Sequence, residues 1–199
     1  MSNAGSSREI EIKLPLPDAG TGRRALGRAG FQVRRDRVFE TNVVYDTPGG
    51  ELARAEKLLR VRQTGDSFLL TYKGPGQSAR HKVREELETG LTDADQFDNM
   101  LKRLGFLPSF RYEKYRTEYE RPAEPGAAML DETPIGAYLE LEGAPDWIDA
   151  MALELGFTEP DYILASYGRL YVEWCRDRGE SPSHMVFGDP GDSSIRDWP

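Results

Sequence analysis

Alternation of apolar and polar residues with a period of two is the dominant pattern along the chain, and it predicts β-strands. The pattern occurs in eight segments, at 8–14, 37–46, 57–63, 67–73, 81–89, 110–120, 127–131 and 137–143. In an antiparallel sheet, such alternation leaves one face apolar and the other polar. Eight strands in one domain favour a closed antiparallel barrel, because closure removes the exposed edges of a sheet.

Four other segments have the spacing of amphipathic helices, at 18–29, 93–104, 145–155 and 163–177. We expect Thr92 to cap the second helix and Pro145 to stand in the first turn of the third. Three of the helices end at Gly-Phe pairs, in which the glycine is expected to take a left-handed conformation: Gly30-Phe31, Gly105-Phe106 and Gly156-Phe157. The predicted fold is α+β, an eight-stranded antiparallel closed β-barrel with helices packed outside.

One domain is predicted, over residues 8–178. Residues 1–7 are mostly small and polar, and we expect them to be disordered or to come from an expression vector. Residues 179–199 are rich in Gly, Ser, Pro and Asp, and they are predicted to form a flexible C-terminal tail.

The charge balance excludes some classes of partner. A formal net charge of −8 argues against binding to a nucleic-acid polymer or an acidic membrane. The basic residues nevertheless concentrate in a few strands, which favours a small anionic ligand. A single cysteine, Cys175, forms no intrachain disulfide, and there is no apolar run near 18 residues, so a cytoplasmic protein is expected.

The polar faces of the strands carry like charges in groups. Glu9-Ile10-Glu11-Ile12-Lys13 places two carboxylates and an ammonium on one strand face. Similar pairs are Arg60 with Arg62, Lys82 with Arg84, Glu86 with Glu88, Lys114 with Arg116, and Glu140 with Glu142. These faces could form a solvated sheet surface cross-linked by ion pairs, or the interior of a charged barrel. Grouped like charges repel unless a ligand of opposite charge lies between them, which favours the second interpretation.

A polyphosphate together with a divalent metal would satisfy both kinds of charge. Phosphate oxygens accept hydrogen bonds from Arg and Lys, whereas Mg²⁺ and similar cations bind carboxylate oxygens. Neither of the two common glycine-rich phosphate loops occurs in the sequence. Any phosphate binding must therefore come from side chains.

At these residues the sequence resembles the CYTH family, also called triphosphate tunnel metalloenzymes. The family's E-x-E-x-K motif corresponds to Glu9-Ile10-Glu11-Ile12-Lys13. Further matches follow in family order: Tyr45-Asp46-Thr47-Pro48, Leu59-Arg60-Val61-Arg62, Leu70-Thr71-Tyr72-Lys73-Gly74, Arg84 with Glu86 and Glu88, Lys114-Tyr115-Arg116, Leu130-Asp131, Gly136, Glu140-Leu141-Glu142 and Ser166-Tyr167. The resemblance covers about residues 9–175.

The resemblance implies a tunnel in which a divalent metal, Mg²⁺ or Mn²⁺, supports chemistry on a triphosphate. The implied metal ligands are Glu9, Glu11, Glu88, Asp131, Glu140 and Glu142, with Glu86 as an alternative to Glu88. The implied substrate-binding residues are Lys13, Arg60, Arg62, Lys73, Arg84, Lys114 and Arg116, and Lys82 ranks below them. The implied catalytic residues are Glu9, Glu11, Lys13 and Lys114.

Three functions remain open at this point. The first is metal-dependent hydrolysis of tripolyphosphate, thiamine triphosphate or a nucleoside triphosphate. The second is a class IV adenylyl cyclase that converts ATP to cyclic AMP and pyrophosphate, and the third is a non-catalytic polyphosphate or nucleotide binder. The first two need the same charged residues, so the sequence does not decide between them. The oligomeric state is also open, with a homodimer as one alternative.

Overall fold

The computed structural model describes residues 7–78 and 80–188. The strands are β1 (Ser7–Leu16), β2 (Gln32–Asp46), β3 (Leu58–Thr64), β4 (Ser67–Lys73), β5 (Gln77–Ser78), β6 (Lys82–Leu91), β7 (Leu107–Glu120), β8 (Ala127–Thr133) and β9 (Gly136–Glu142). The helices are α1 (Ala19–Arg28), α2 (Glu51–Arg54), α3 (Ala94–Arg103), α4 (Pro145–Glu154) and α5 (Tyr167–Arg178), with a 3-10 turn at Glu159–Asp161. Of the helices in the described residues, none is long and apolar enough to cross a membrane.

Eight of the strands close into an antiparallel barrel, which confirms the predicted fold. Their order around the barrel is β1-β9-β8-β7-β2-β3-β4-β6, and pairing of β6 with β1 closes the ring. The ninth strand, β5, has two residues and pairs with the start of β6. Because the strands alternate in direction, the C-terminal end of β1 lies at the same rim as the N-terminal ends of β6, β7 and β9.

The apolar core lies between the outer face of the barrel and the helices. One cluster joins α1 and α4 to β1, β8 and β9 and includes Ile12, Leu14, Leu26, Leu130, Leu139, Leu141, Ile148 and Ala152. A second cluster packs Leu101 of α3 against Val43, Tyr45 and Val61. Since the apolar strand positions face outward, the charged positions between them face into the barrel.

The helix ends agree with the sequence in most places. Gly30, Gly105 and Gly156 have φ values of 79°, 89° and 90°. The amide of the following phenylalanine donates to a carbonyl five residues back in each case, at 3.0, 2.9 and 2.8 Å. The expected cap at Thr92 is wrong by one position, because the Asp93 carboxylate accepts from the Gln96 amide at 2.8 Å.

The last helix begins later than predicted. The segment before it is extended, and Ile163 exchanges two backbone hydrogen bonds with Lys13, at 3.0 and 2.9 Å. Ser166 caps α5 by accepting from the Arg169 amide. This pairing with β1 takes residues 163–166 out of the helix and places α5 at the rim where β1 ends.

Helix α2 was not predicted, and Asp46 at the end of β2 holds it. The Asp46 carboxylate accepts from the amides of Thr47, Leu52 and Ala53 at 2.7–2.9 Å. Tyr45 donates its hydroxyl to Asp98 of α3 at 2.9 Å. The Tyr45-Asp46 motif therefore ties helices to one rim of the barrel.

The first part of the predicted tail is held against β7. Met185 is fully buried and exchanges backbone hydrogen bonds with Arg111 and Glu113, at 3.0 and 2.8 Å. This position on β7 is free for pairing, because β8 pairs with β7 only from Tyr115 onward. The remaining terminal residues, 1–6 and 189–199, lie outside the described residues.

Candidate functional site

The interior of the barrel is a cavity of about 1160 Å³ lined by charged side chains. Of the residues predicted for the site, the cavity is lined by Glu9, Glu11, Lys13, Arg60, Arg62, Lys73, Arg84, Glu88, Lys114, Arg116, Glu140 and Glu142. Lys82 and Glu86 line it as well. Asp131 is fully buried and lies behind this lining. The sequence therefore identified which strand positions face inward.

The register of three adjacent strands determines which charges meet. In the β1–β6 ladder, Glu9 lies opposite Arg84 and Glu11 lies opposite Lys82. In the β1–β9 ladder, Glu11 lies opposite Glu142, and Lys13 lies opposite Glu140. Residues directly opposite each other share a sheet face, so Glu11 has a cation on one side and a carboxylate on the other.

The first two glutamates are each bound by several cations. Glu9 accepts from Lys73 at 2.5 Å and from Arg84 at 3.0 Å. Glu11 accepts from Lys82 at 3.0 Å and from Lys13 at 3.3 Å. Burial alone would raise the pKa of Glu11, but Lys13 and the neighbouring lysines hold that pKa well below its usual range.

Asp131 of β8 binds two cations of the neighbouring strand β7. It accepts from Lys114 at 2.8 Å and from Arg116 at 2.6 and 2.7 Å. Tyr167 of α5 donates its hydroxyl to the same carboxylate at 2.6 Å. Arg116 also contacts Glu140, which in turn lies 3.2 Å from Lys13. The carboxylate predicted as a metal ligand is therefore used as the counter-ion of Lys114 and Arg116.

Two arginines of β3 are held by polar groups on neighbouring strands. Arg60 donates to the Tyr112 hydroxyl at 3.0 Å and to Thr71 at 3.1 Å. Arg62 donates to the Asn42 side-chain carbonyl at 3.0 Å. Both guanidinium groups are buried at the wall, where they can offer further N–H donors to an anion.

Glu142 differs from the other acidic residues of the cavity. Its carboxylate makes neither a hydrogen bond nor an ion pair within the described part of the chain. Burial raises its pKa, and the nearby carboxylates of Glu9, Glu11 and Glu86 raise it further, to about 7. Negative charge therefore accumulates at this position beyond what the surrounding cations neutralise.

The charges are more interleaved than the sequence suggested. The grouping of like charges along single strands favours separate acidic and basic regions. Instead, Lys82 and Arg84 lie among the glutamates of β1, because β6 is the direct neighbour of β1 in the closed barrel. Lys73 reaches the same glutamates from β4, the next strand beyond β6. Within residues 7–78 and 80–188, no three carboxylate, histidine or cysteine side chains converge closely enough to form a metal site.

Sequence reasoning missed some groups that face the same interior. Glu40 and Asn42 of β2 are fully buried beside Arg62, and their spacing of two within an apolar strand was the available signal. Tyr112 was missed as a partner of Arg60 because a tyrosine in a strand is usually a packing residue. Lys82 ranked below the other cations in the sequence, yet it lines the cavity and contacts Glu11. Burial lowers its pKa to about 8, although Glu11 opposes that change.

The raised pKa of Glu142 predicts an unusual effect on stability. Between pH 4.5 and about 7, the unfolded chain releases this proton and the folded protein keeps it, so stability falls as the pH rises. Glu142→Gln removes the penalty. We expect the variant in EDTA to be more stable than the native protein by about 1–3 kcal/mol at pH 8, and equally stable near pH 4.

Denaturant unfolding at the two pH values measures this difference. Glu85→Gln is the matched control, because Glu85 is exposed on the outward face of β6. We expect the control to change stability by less than about 0.5 kcal/mol at either pH. A Glu142→Gln variant that gains nothing at pH 8 would contradict the assigned environment of Glu142.

Comparison with known proteins gives one family match. A family model described as the CYTH domain matches residues 7–155. A "putative adenylate cyclase" of Methanocaldococcus jannaschii is 28% identical over 134 residues, which cover 67% of this chain and 75% of the relative.

Two solved structures extend the comparison to the fold. A "putative adenylate cyclase" from Vibrio parahaemolyticus superposes with a TM-score of 0.71 at 20% identity, covering 83% of this chain and 98% of that chain. A Hippeastrum protein, described as a putative adenylyl cyclase that reveals a dominant triphosphatase activity, superposes with a TM-score of 0.60 at 19% identity. That superposition covers 88% of this chain and 97% of the Hippeastrum chain.

Proposed function

The chain belongs to the CYTH family, and from this membership and its charged interior we propose that it hydrolyses a triphosphate with the help of a divalent metal ion. The substrate class is tripolyphosphate, thiamine triphosphate or a nucleoside triphosphate. The observation that carries the proposal is the collection of eight buried or half-buried Lys and Arg side chains and an under-neutralised glutamate cluster in one cavity.

The basic side chains supply the binding energy for the polyanion. Lys114 and Arg116 are fixed by Asp131, and Arg60 is fixed by Tyr112 and Thr71. Because these donors are positioned before the ligand enters, the cost of ordering long side chains is reduced. Arginine donates in a planar fork that matches phosphate oxygens, while lysine places a compact charge beside them.

The acidic residues fit a hard divalent cation by their chemistry. Glu142 has no bound cation among the described residues. Burial raises its pKa, and its neighbours Glu9, Glu11 and Glu86 raise it further, to about 7. Carboxylate oxygens of this kind are the ligands that Mg²⁺ and Mn²⁺ prefer. We assign Glu11 and Glu142, which lie directly opposite each other in the β1–β9 ladder, as the residues that would hold the metal, with Glu9, Glu86, Glu88 and Glu140 beside them. One or two carboxylates are enough for Mg²⁺ when phosphate oxygens of the substrate complete its coordination. A bound metal would supply positive charge next to the phosphates and would favour ionisation of water.

The remaining steps depend on the chain's own groups. Water attacks the terminal phosphorus and gives up a proton to a glutamate carboxylate of the cavity, while the bond from that phosphorus to the bridging oxygen breaks and frees orthophosphate and the diphosphate leaving group. Negative charge then develops on the transferred phosphoryl group and on the leaving diphosphate, where Lys13, Lys114 and Arg116 can stabilise it. The enclosing barrel limits the water around these charges, which strengthens each electrostatic contact.

An adenylyl cyclase is the second candidate, because relatives carry that name. The Methanocaldococcus jannaschii relative and the Vibrio parahaemolyticus structure both do so. The Hippeastrum protein, also described as a cyclase, is credited with a dominant triphosphatase activity, which supports hydrolysis as the first choice. In a cyclase the same donors would stabilise a pyrophosphate leaving group while the ribose 3′-hydroxyl attacks the α-phosphorus.

Product analysis separates the candidates. We expect tripolyphosphate, thiamine triphosphate or ATP, incubated with Mg²⁺ or Mn²⁺, to release orthophosphate without cyclic AMP. Chromatography of the ATP reaction detects cyclic AMP and pyrophosphate, and a phosphate assay detects hydrolysis of each substrate. If cyclic AMP is the main product of the ATP reaction, the protein is an adenylyl cyclase and the proposal of hydrolysis is wrong. Binding of all three compounds without turnover would leave a non-catalytic binder.

A further inference from the structure

Glu40 is a buried carboxylate that lies directly opposite Lys114 in the β2–β7 ladder. It lies on β2, its side chain is 1% exposed, and it is absent from the residues that line the cavity. Neither of its carboxylate oxygens has a hydrogen-bond partner in the part of the chain that the structure describes. A buried charge without hydrogen bonds is costly, so its surroundings must compensate it electrostatically.

Two cations of the wall supply that compensation. The Oε2 atom of Glu40 lies 3.4 Å from Nε of Arg62 and 3.7 Å from Nζ of Lys114. Burial alone would raise the pKa of Glu40, but Lys114 and Arg62 together with more distant arginines lower it to about 2. Glu40 therefore remains ionised at neutral pH and is held by charge rather than by hydrogen bonds.

Its position sets the geometry of both cations. Lys114 lies between Glu40 and Asp131, with 2.8 Å to the aspartate. Arg62 contacts Glu40 and donates to Asn42, which is also fully buried. Both cations line the cavity, whereas Glu40 and Asn42 are not among the residues that line it. An anion in the cavity would thus contact Lys114 and Arg62 directly. The negative charge of Glu40 would reduce the attraction that these two cations exert on it.

We propose that Glu40 is a positioning residue that fixes Lys114 and Arg62 in the wall and weakens their hold on the polyphosphate. Its negative charge opposes the binding of another anion by the same two cations. Unopposed, these cations would retain the anionic product as well as the substrate, so Glu40 favours product release. This inference rests on the proposed function, since it concerns the affinity of the same cavity for a polyphosphate.

The test compares Glu40→Gln with the native protein in EDTA, where turnover is suppressed. The glutamine keeps the shape of the side chain and sacrifices no hydrogen bond, but it removes the charge. We expect the dissociation constants of tripolyphosphate and pyrophosphate, measured by calorimetry, to fall by about tenfold. A purely structural role for Glu40 would lower thermal stability without tightening either ligand.

Glu132→Gln is the matched control for the charge change. Glu132 also lies between two arginines, Arg23 at 2.7 Å and Arg37 at 2.9 Å, but on the outer surface of the barrel. Its replacement should leave both dissociation constants unchanged. Equal tightening in Glu132→Gln and Glu40→Gln would overturn the proposal, because the effect would then reflect net charge alone.

Asn42→Asp gives the opposite change and keeps the test valid if Glu40→Gln does not fold. It adds a carboxylate beside Arg62, and it should weaken tripolyphosphate binding several-fold. If the native protein binds tripolyphosphate but Glu40→Gln or Asn42→Asp binds it with unchanged affinity, the role of Glu40 is overturned and the proposed function is not. If the native protein does not bind tripolyphosphate, either with Mn²⁺ or without it, the proposed function itself is overturned.

Discussion

Asp131→Ala is expected to lower the free energy of unfolding by about 3–5 kcal/mol, the largest stability effect that we predict for a single side chain. Asp131 is fully buried and binds Lys114, Arg116 and Tyr167. Its removal leaves Lys114 without its closest counter-ion and deprives Arg116 of two hydrogen bonds. Breaking one partner of a buried pair costs more than the pair itself contributes, because the remaining charge is desolvated and unpaired.

Denaturant unfolding at pH 7 measures the loss, and Glu132→Ala is the matched control. Glu132 is the next residue on β8 but faces outward, where it pairs with Arg23 and Arg37 in partial contact with solvent. Its loss should cost no more than about 1 kcal/mol. Comparable losses in the two variants would show that the Asp131 network is not the buried counter-ion site described above.

Glu11→Gln is expected to lower triphosphate turnover by about 10²–10³-fold, which is the largest activity effect that we predict. Glu11 lies opposite Glu142 on β9 and contacts Lys13 and Lys82. The substitution removes one proposed metal ligand and releases two cations from their fixed positions. Both changes reduce the stabilisation of charge that develops on the phosphoryl group.

Steady-state rates at saturating Mg²⁺ measure this effect, with circular dichroism to verify that the variant is folded. Glu85→Gln makes the same chemical change on the exposed face of β6, and it should retain activity within about twofold of native. A folded Glu11→Gln protein with native turnover would count against the assignment of the glutamate cluster.

The sequence predicts long elements well because their patterns extend over many residues. The period of two located all eight barrel strands, and the Gly-Phe pairs located the ends of α1, α3 and α4. The elements that were missed are short. Helix α2 has four residues and β5 has two, so each contains only about one period of its own pattern, which is too short to be recognised.

Local sequence patterns do not predict pairing between residues that are far apart in the chain. Residues near Ile163 have a helical spacing, but hydrogen bonds to Lys13 hold them in an extended conformation. Met185 lies in a segment rich in Gly, Ser and Pro, yet it is fully buried against β7. Both partners are more than 70 residues away in sequence, so only the folded topology brings them together.

In the candidate site, too, the sequence predicts which residues face inward, whereas only the folded topology determines their partners. Alternation predicts that Glu9, Glu11 and Arg84 face inward, and the family resemblance relates them to a triphosphate. Their partners depend on strand register, which interleaves Lys82 and Arg84 with the glutamates of β1. Register also makes Asp131 a counter-ion of Lys114, and it leaves Glu142 without a cation among the described residues.

A calorimetric titration of tripolyphosphate into the native protein, with Mn²⁺ and again with EDTA, measures whether the barrel interior binds a triphosphate and a divalent metal together. We predict saturable binding that is at least about tenfold tighter with Mn²⁺ than with EDTA. Equal affinity under the two conditions, or no binding under either, would contradict this prediction.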